Sequence, residues 1–214
     1  ASVGTGPTIT VNPTTTTTYF VRAEGDCGST LCASVSVRVK NPSVAPTGAS
    51  ALSPTICSGQ STDISVTGGS LGTNAVWKSY AGGCASGASI GTGATISVNP
   101  TTTTTYYVRA EGDCNNTTCA QVTVTVKTLS TAPTGASAVT SPICLAGNTD
   151  ISVTGGSLGT GAAWKWYAGG CASGASIGTG PTINVNPTTT TTYYVRAEGD
   201  CNNTTCASIQ VVVN

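Results

Sequence analysis

The chain has 214 residues, no net charge and only 7% charged side chains, 8 basic and 8 acidic. A neutral chain without basic clusters argues against nucleic acid or an anionic membrane surface as its partner. No apolar run approaches the roughly 18 residues that a spanning helix needs, so no membrane insertion is expected in this segment. His is absent, which removes a His general base and any Ser-His or Cys-His nucleophile pair. No catalytic residue, metal or cofactor site is therefore expected, and the protein is read as a non-enzyme. Met is absent too, so the chain is expected to be a processed or truncated piece of something longer. Ten cysteines point to disulfides in an oxidising compartment. Zinc is the weaker reading, because the chain lacks both His and the CxxC pairs that zinc sites usually use.

In chain order, residues 13–32 read PTTTTTYFVRAEGDCGSTLC. The stretch returns as PTTTTTYYVRAEGDCNNTTC at 100–119 and letter for letter at 187–206. Ala45-Pro46-Thr47 recurs as Ala132-Pro133-Thr134, and every such offset is 87. Residues 45–127 and 132–214 differ at 18 of 83 positions. Self-similarity at a fixed period marks a repeat architecture. The organisation expected is the back half of a repeat at 1–40, a complete repeat at 41–127 and a second complete repeat at 128–214. The spacers Asn41-Pro42-Ser43-Val44 and Thr128-Leu129-Ser130-Thr131 lead into the complete repeats. The leading half repeat is either a window on a longer array or is completed by strands of another molecule. A simple head-to-tail exchange would need a spare front half at the other end, which favours the window.

Within one complete repeat the elements are strands. TDISVTGG (62–69) alternates Ile64 and Val66 with polar residues. AVWKSYAGG (75–83) and ATISVNP (94–100) follow. TTYYVRAEGD (104–113) places Tyr106, Val108 and Ala110 on one face and Tyr107, Arg109 and Glu111 on the other. AQVTVTVK (120–127) alternates Val122, Val124 and Val126 with polar residues. Period-2 alternation bounded by Gly, Asn and Pro is the signature of strands. Several short strands in fewer than 90 residues predict a β-sandwich. The threonine run leads into and begins a strand, where branched Cβ atoms suit a pleated surface. Tyr106, with counterparts Tyr19 and Tyr193, resembles the buried Tyr of a sandwich corner.

Cys114 and Cys119 flank a turn-rich NNTT, so a clamp across the hairpin is expected there, with the same clamp at Cys27-Cys32 and Cys201-Cys206. Cys57 precedes one strand and Cys84 ends the next, which predicts Cys57-Cys84 and, one repeat on, Cys144-Cys171. The half repeat supports this scheme: it lacks both front cysteines, and pairing across the halves would orphan Cys27 and Cys32.

ICSGQSTDISVTGGSLGTNAVWKSYAGGC, followed by GASIGTGATISVNPTTTTTYYVRAEGDC, resembles the Ig-like repeats of large secreted surface and adhesin proteins of Bacteroidetes. The resemblance covers both complete repeats and the half repeat. It implies tandem, disulfide-stapled Ig-like sandwiches, with Trp77 and Trp164 in the core near a disulfide. It also implies an extracellular or cell-surface location, often reached by type IX export, and a role as spacer, stalk or adhesive module. One departure is Ser79, where the last repeat has Trp166.

Two readings of function follow. The leading one is a structural segment of a long extracellular array that forms a stalk, fibre or self-assembling filament. Self-association through the repeats is its expected partner, and glycan modification of Ser and Thr is a further expectation. The alternative is an adhesin module in which Tyr80, Trp166 and Tyr167 form an aromatic platform for a carbohydrate or another surface ligand. Glu111 and Asp113 offer too few oxygens for a calcium cage, and the EGD motif reads as a solvated strand end.

Overall fold

The computed structural model describes residues 2–214, and all regular secondary structure in them is β-strand. The five alternating segments form strands at Thr62–Thr67, Val76–Ala81, Thr95–Val98, Thr104–Glu111 and Ala120–Lys127. Three short strands at Gly48–Ala51, Thr55–Cys57 and Gly91–Thr92 add to them. These carry little alternation of their own and exist because a neighbouring strand offers free backbone groups. Their order is 95–98, 62–67, 48–51 in one sheet and 55–57, 120–127, 104–111, 76–81, 91–92 in the other.

The chain divides into two compact units. The first holds residues 1–50, 65–96 and 106–122, and the second holds 51–64, 97–105 and 123–214. In the first unit, 76–81 runs antiparallel to 104–111 with Trp77 opposite Ala110 and Tyr80 opposite Tyr107. Trp77, Val108 and Ala110 form its core, covered by Ala49, Val66 and Ala120. The leading segment contributes Thr17–Val21 paired antiparallel with Ala33–Val37. Its inward positions are uncovered: Val21 is 64% exposed, whereas its counterparts Val108 and Val195 are 5% and 0% exposed. Tyr19 is only half-buried, while Tyr106 and Tyr193 lie in the interior as expected.

In the second unit, the last repeat forms two sheets, ordered 135–138, 149–154, 182–185 and 178–179, 163–168, 191–198, 207–211. Strand 135–138 packs against 207–211, which closes the sandwich. Trp164 and Trp166 point into it and meet Ile151, Tyr193, Val195, Ala197 and Val211. Burial of aromatic and β-branched side chains between sheets is the main stabilising term for a domain of this size.

The threonine run also has a hydrogen-bonding role that alternation does not reveal. Thr103 Oγ1 accepts from Val126 N at 3.0 Å, Thr190 Oγ1 from Val213 N at 3.1 Å, and Thr16 Oγ1 from Val39 N at 3.1 Å. One residue on, Thr17, Thr104 and Thr191 each donate to the carbonyl two residues back at 2.7 Å. Each run thus continues a ladder with side chains where the backbone turns away. Gly69 and Gly156, at φ 73° and 71°, close the strand that precedes the Trp strand. A Cβ there would stand 2.7–2.8 Å from the carbonyl oxygen of Ala45 or Ala132, so only Gly fits.

Because Trp166 is wholly buried, Trp166→Ala removes a large core side chain and should destabilise the last repeat by about 3–5 kcal/mol. Denaturant unfolding followed through the remaining tryptophans measures this.

Candidate functional site: the junction between successive repeats

The hairpin joining strands 104–111 and 120–127 sets up the junction. Thr117 N donates to Ala110 O at 3.0 Å, and Ala110 N donates to Thr117 Oγ1 at 3.1 Å. Glu111 bridges to Asn116. This register leaves Asp113, Cys114 and Asn115 at the tip. The last repeat has the same arrangement, with Thr204 N donating to Ala197 O at 3.0 Å and Ala197 N to Thr204 Oγ1 at 3.1 Å.

Each tip holds the spacer that leads into its own repeat. In the first unit, Ser43 N donates to Asn115 Oδ1 at 2.7 Å, and Asn115 Nδ2 donates back to Ser43 O at 3.0 Å. Asn41 N donates to Thr73 Oγ1 at 2.9 Å, and Lys40 Nζ reaches Asp113 Oδ2 at 2.8 Å. Asn74 Nδ2 donates to the same oxygen at 3.0 Å. The bond from Lys40, then that from Asn74, holds the Asp113 carboxyl below the usual range. In the second unit Ser130 and Asn202 exchange the same pair of bonds at 2.9 and 3.0 Å, Thr128 N donates to Thr160 Oγ1 at 2.9 Å, and Lys127 reaches Asp200 at 2.7 Å. Every partner is displaced by one period. The Asn of NNTT is therefore a clasp for the incoming chain, and the Asp of EGD is engaged rather than solvated.

The disulfides differ from the predicted scheme. Cys84 bonds Cys119 and Cys171 bonds Cys206, each with Cα atoms 5.9 Å apart. Cys57 of the first complete repeat bonds Cys201 of the next, with Cα atoms 5.6 Å apart. Cys27, Cys32, Cys114 and Cys144 are free and exposed. The predicted pairs Cys27-Cys32, Cys57-Cys84, Cys114-Cys119, Cys144-Cys171 and Cys201-Cys206 do not form. The hairpin register explains the failure of the clamp. With Thr117 across from Ala110, residue 119 lies on the order of 10 Å down the strand from the tip, beyond the roughly 7 Å that a disulfide spans. Cys119 faces the loop after 76–81, which returns Cys84 to it. Cys57 is aligned with Lys127 by the parallel pairing of 55–57 with 125–127. Lys127 in turn reaches Asp200, the neighbour of Cys201. On the chain-entropy model, bonds closing separations of 35 and 144 residues contribute about 4 and about 5 kcal/mol.

The aromatic platform is not present either. Tyr80 and Tyr167 are 5% exposed and Trp166 is 0% exposed. Trp166 and Tyr167 are consecutive strand residues, so they point to opposite faces. Trp166 lies in the core and its Nε1 donates to Gly180 O at 3.0 Å. Tyr167 lies in a polar cluster on the outer face, where its hydroxyl donates to Glu198 Oε1 at 2.5 Å. Arg196 and Lys165 pair with the same carboxylate at 2.7 and 3.2 Å, and the Arg196 guanidinium sits 5.9 Å from the centre of the Tyr167 ring. The first complete repeat repeats the cluster with Tyr80, Glu111, Arg109 and Lys78. The bond from Lys78, then that from Tyr80, lowers the Glu111 pKa to about 2. For Glu198 the bond from Tyr167 leads, and its pKa is also about 2. Burial, followed by the bond to its Glu, raises the pKa of each Tyr. Lys78 and Lys165 lie on this outer face, each tied to its Glu.

Two sheets with Ig-like strand order, duplicated in tandem and disulfide-bonded, define a class of tandem Ig-like domain proteins. The chain belongs to the family described as Ig-like domain, CHU_C associated, whose profile matches residues 44–127 and again 131–214. No curated protein matches the chain. Among solved structures, murine CEACAM1b is similar at 13% identity and a TM-score of 0.49, over 78% of this chain and 99% of that one. The four N-terminal Ig domains of Dscam1 isoform 6.9 are similar at 11% identity and a TM-score of 0.40, over 75% of this chain and 43% of that one. The fibronectin(III)-like modules of Clostridium thermocellum CbhA are similar at 15% identity and a TM-score of 0.35, over 78% and 94%. Among the described residues no helix is long and apolar enough to cross a membrane.

The polar clusters predict acid sensitivity. A carboxyl whose pKa is lowered in the folded state contributes stability above its unfolded pKa and loses it as pH falls toward the folded value. From 4.5 to about 2, the linkage limit is about 3 kcal/mol per cluster, and screening at a sheet surface brings it to about 1–2 kcal/mol. Melting temperature should therefore fall across this window. In the Glu111→Gln, Glu198→Gln double variant it should start lower at neutral pH and vary less with acid, as thermal scans across that pH range would record.

Proposed function

We propose that this chain is a structural segment of an extracellular array of Ig-like repeats, acting as a stalk, fibre or filament on or outside the cell. The observation that carries the reading is the junction. Lys40, Asn41, Ser43, Thr73, Asp113 and Asn115 recur, one period on, as Lys127, Thr128, Ser130, Thr160, Asp200 and Asn202 in the same contacts. A chain that specifies the contact between repeats as closely as the fold of each repeat is built for extension in register. In this proposal residues 1–40 are the back half of a repeat, and 41–127 and 128–214 are complete ones. Cysteines bonded in pairs favour an oxidising, extracellular setting.

Self-association is part of the proposal. A charge content of 7% leaves no strong repulsive field between neighbouring chains, and exposed sheet edges accept further strands. The adhesin alternative loses its motivation with the platform, since all three aromatics are buried.

Electron microscopy of the native material, before and after reduction, tests the reading. Strings or filaments with a regular axial repeat of about 30–40 Å per unit, as strands of 8–10 residues imply, are expected. Reduction should lower both protease resistance and melting temperature. Compact particles without an axial repeat, or units whose stability is indifferent to reduction, would count against it.

A further inference from the structure

We propose that Cys57–Cys201 is one rung of a repeating covalent ladder, and that Cys114 and Cys144 are linkage sites for a cysteine of another repeat of this kind. The inference deepens the array reading and rests on it.

Two pairing rules cover the bonds present. Within a repeat, the cysteine after the Trp strand bonds the cysteine that begins the last strand, as in Cys84–Cys119 and Cys171–Cys206. Between repeats, the front cysteine of one bonds the hairpin-tip cysteine of the next, as in Cys57–Cys201. Every cysteine whose partner under these rules is present in the chain is bonded. The four free ones are those whose partner under these rules is not among the ten cysteines of this chain. Cys114 is a hairpin-tip cysteine and calls for a front cysteine from the repeat before it. Cys144 is a front cysteine and calls for a tip cysteine from the repeat after it. Cys27 occupies the tip position, and Cys32 the position of Cys119 and Cys206.

The surroundings of Cys114 and Cys144 match those of the bonded pair. At the bonded junction Cys57 lies alongside Lys127, and Ser58 N donates to Lys127 O at 2.9 Å. Lys127 pairs with Asp200 beside Cys201. At the first junction Lys40 pairs with Asp113 beside Cys114 in the same way, and the Ser43–Asn115 clasp is closed. Cys114 therefore sits at an assembled junction, and what it lacks is a sulfur next to Lys40. At the far end Ile143 bridges in parallel to Val213, and Asn214 N donates to Ile143 O at 3.0 Å. The backbone leading into Cys144 is thereby held as that before Cys57 is, with Asn214 in the place of Lys127 and the Cys144 thiol exposed. A groove of about 580 Å³ on the leading segment, lined by Val3, Ile9, Tyr19, Val21 and Val35, is the core face that the front half of a repeat covers in the two complete copies.

A rung forms by thiol–disulfide exchange with a disulfide of low molecular mass or of an oxidoreductase. One cysteine thiolate attacks that disulfide and expels a thiolate, giving a mixed disulfide. The partner thiolate then attacks the protein sulfur and expels the second. Two protein thiols lose two protons and two electrons, and one external disulfide becomes two thiols.

The test is thiol mapping by mass spectrometry after alkylation under denaturing, non-reducing conditions. In the 214-residue chain, label is expected on Cys27, Cys32, Cys114 and Cys144 alone. Cys201→Ser should add label at Cys57 only, and Cys57→Ser at Cys201 only. A chain extended by a further copy of residues 128–214 should lose label at Cys144 and yield a peptide joining it to the added counterpart of Cys201. If the ladder instead forms between molecules, the unextended chain treated with oxidised glutathione should give linked oligomers joined through Cys144 and a tip cysteine of another copy. Either route supports the proposal. A Cys201–Cys206 peptide in the parent chain overturns it, and so does a Cys144 that takes label in both the extended and the oxidised chain. Axial repeats in the microscope together with a Cys144 labelled in both the extended and the oxidised chain would reject the ladder and leave the array standing. A bonded Cys144 in material without axial repeats would do the reverse.

Discussion

The register of one hairpin governs most of this molecule. Two hydrogen bonds between Ala110 and Thr117, and their copies between Ala197 and Thr204, set the hairpin tip, and in the last repeat one extra residue on the return arm then brings Ala207 opposite Val195 in the ladder. A shift of one residue would reverse every side chain on the last strand and take Val124 out of the core. The same register pushes three consecutive residues, Asp113, Cys114 and Asn115, to the tip. It also carries Cys119 back onto the sheet, toward Cys84. Internal disulfide and contact with the preceding repeat thus both follow from how this hairpin turns.

The junction combines weak and strong interactions in a graded way. An exposed Lys–Asp pair contributes little by itself. A neutral hydrogen bond such as those exchanged by Ser43 and Asn115 contributes on the order of 1 kcal/mol. Together they position the incoming spacer, and position is what a disulfide requires, because sulfur bonding tolerates little error in Cα separation. The polar contacts therefore select which cysteines meet, and the covalent bond fixes the selection.

Much of this was legible in the sequence. Alternation located five strands of the repeat, and it placed Tyr106, Val108 and Ala110 inward and Glu111 outward. It failed for Gly48–Ala51 and Gly91–Thr92, whose strand character comes from a neighbour's unpaired backbone. The disulfides were misread for a different reason. Closeness in sequence suggested Cys114 with Cys119, but five residues of a hairpin arm separate more than they join. Front and tip cysteines from different repeats meet only through tertiary structure. The half repeat added to the misreading: it carries Cys27 and Cys32 without front cysteines, which suggested that these two bond each other, yet both are free. The aromatic platform contained its own refutation, since Trp166 and Tyr167 are adjacent on a strand and cannot share a face.

The bond between Cys57 and Cys201 spans 144 positions of sequence, and this has a mechanical consequence. A pull on the two ends of the chain reaches these cysteines and passes directly from one sulfur to the other. The 143 residues between them, about 500 Å of extended chain at 3.5 Å each, are withdrawn from the load. The strands from Thr62–Thr67 to Thr191–Glu198, and with them most of the last Trp-containing core, lie inside this bypassed loop. Tension that would otherwise unravel residues 58–200 is carried instead by one sulfur–sulfur bond.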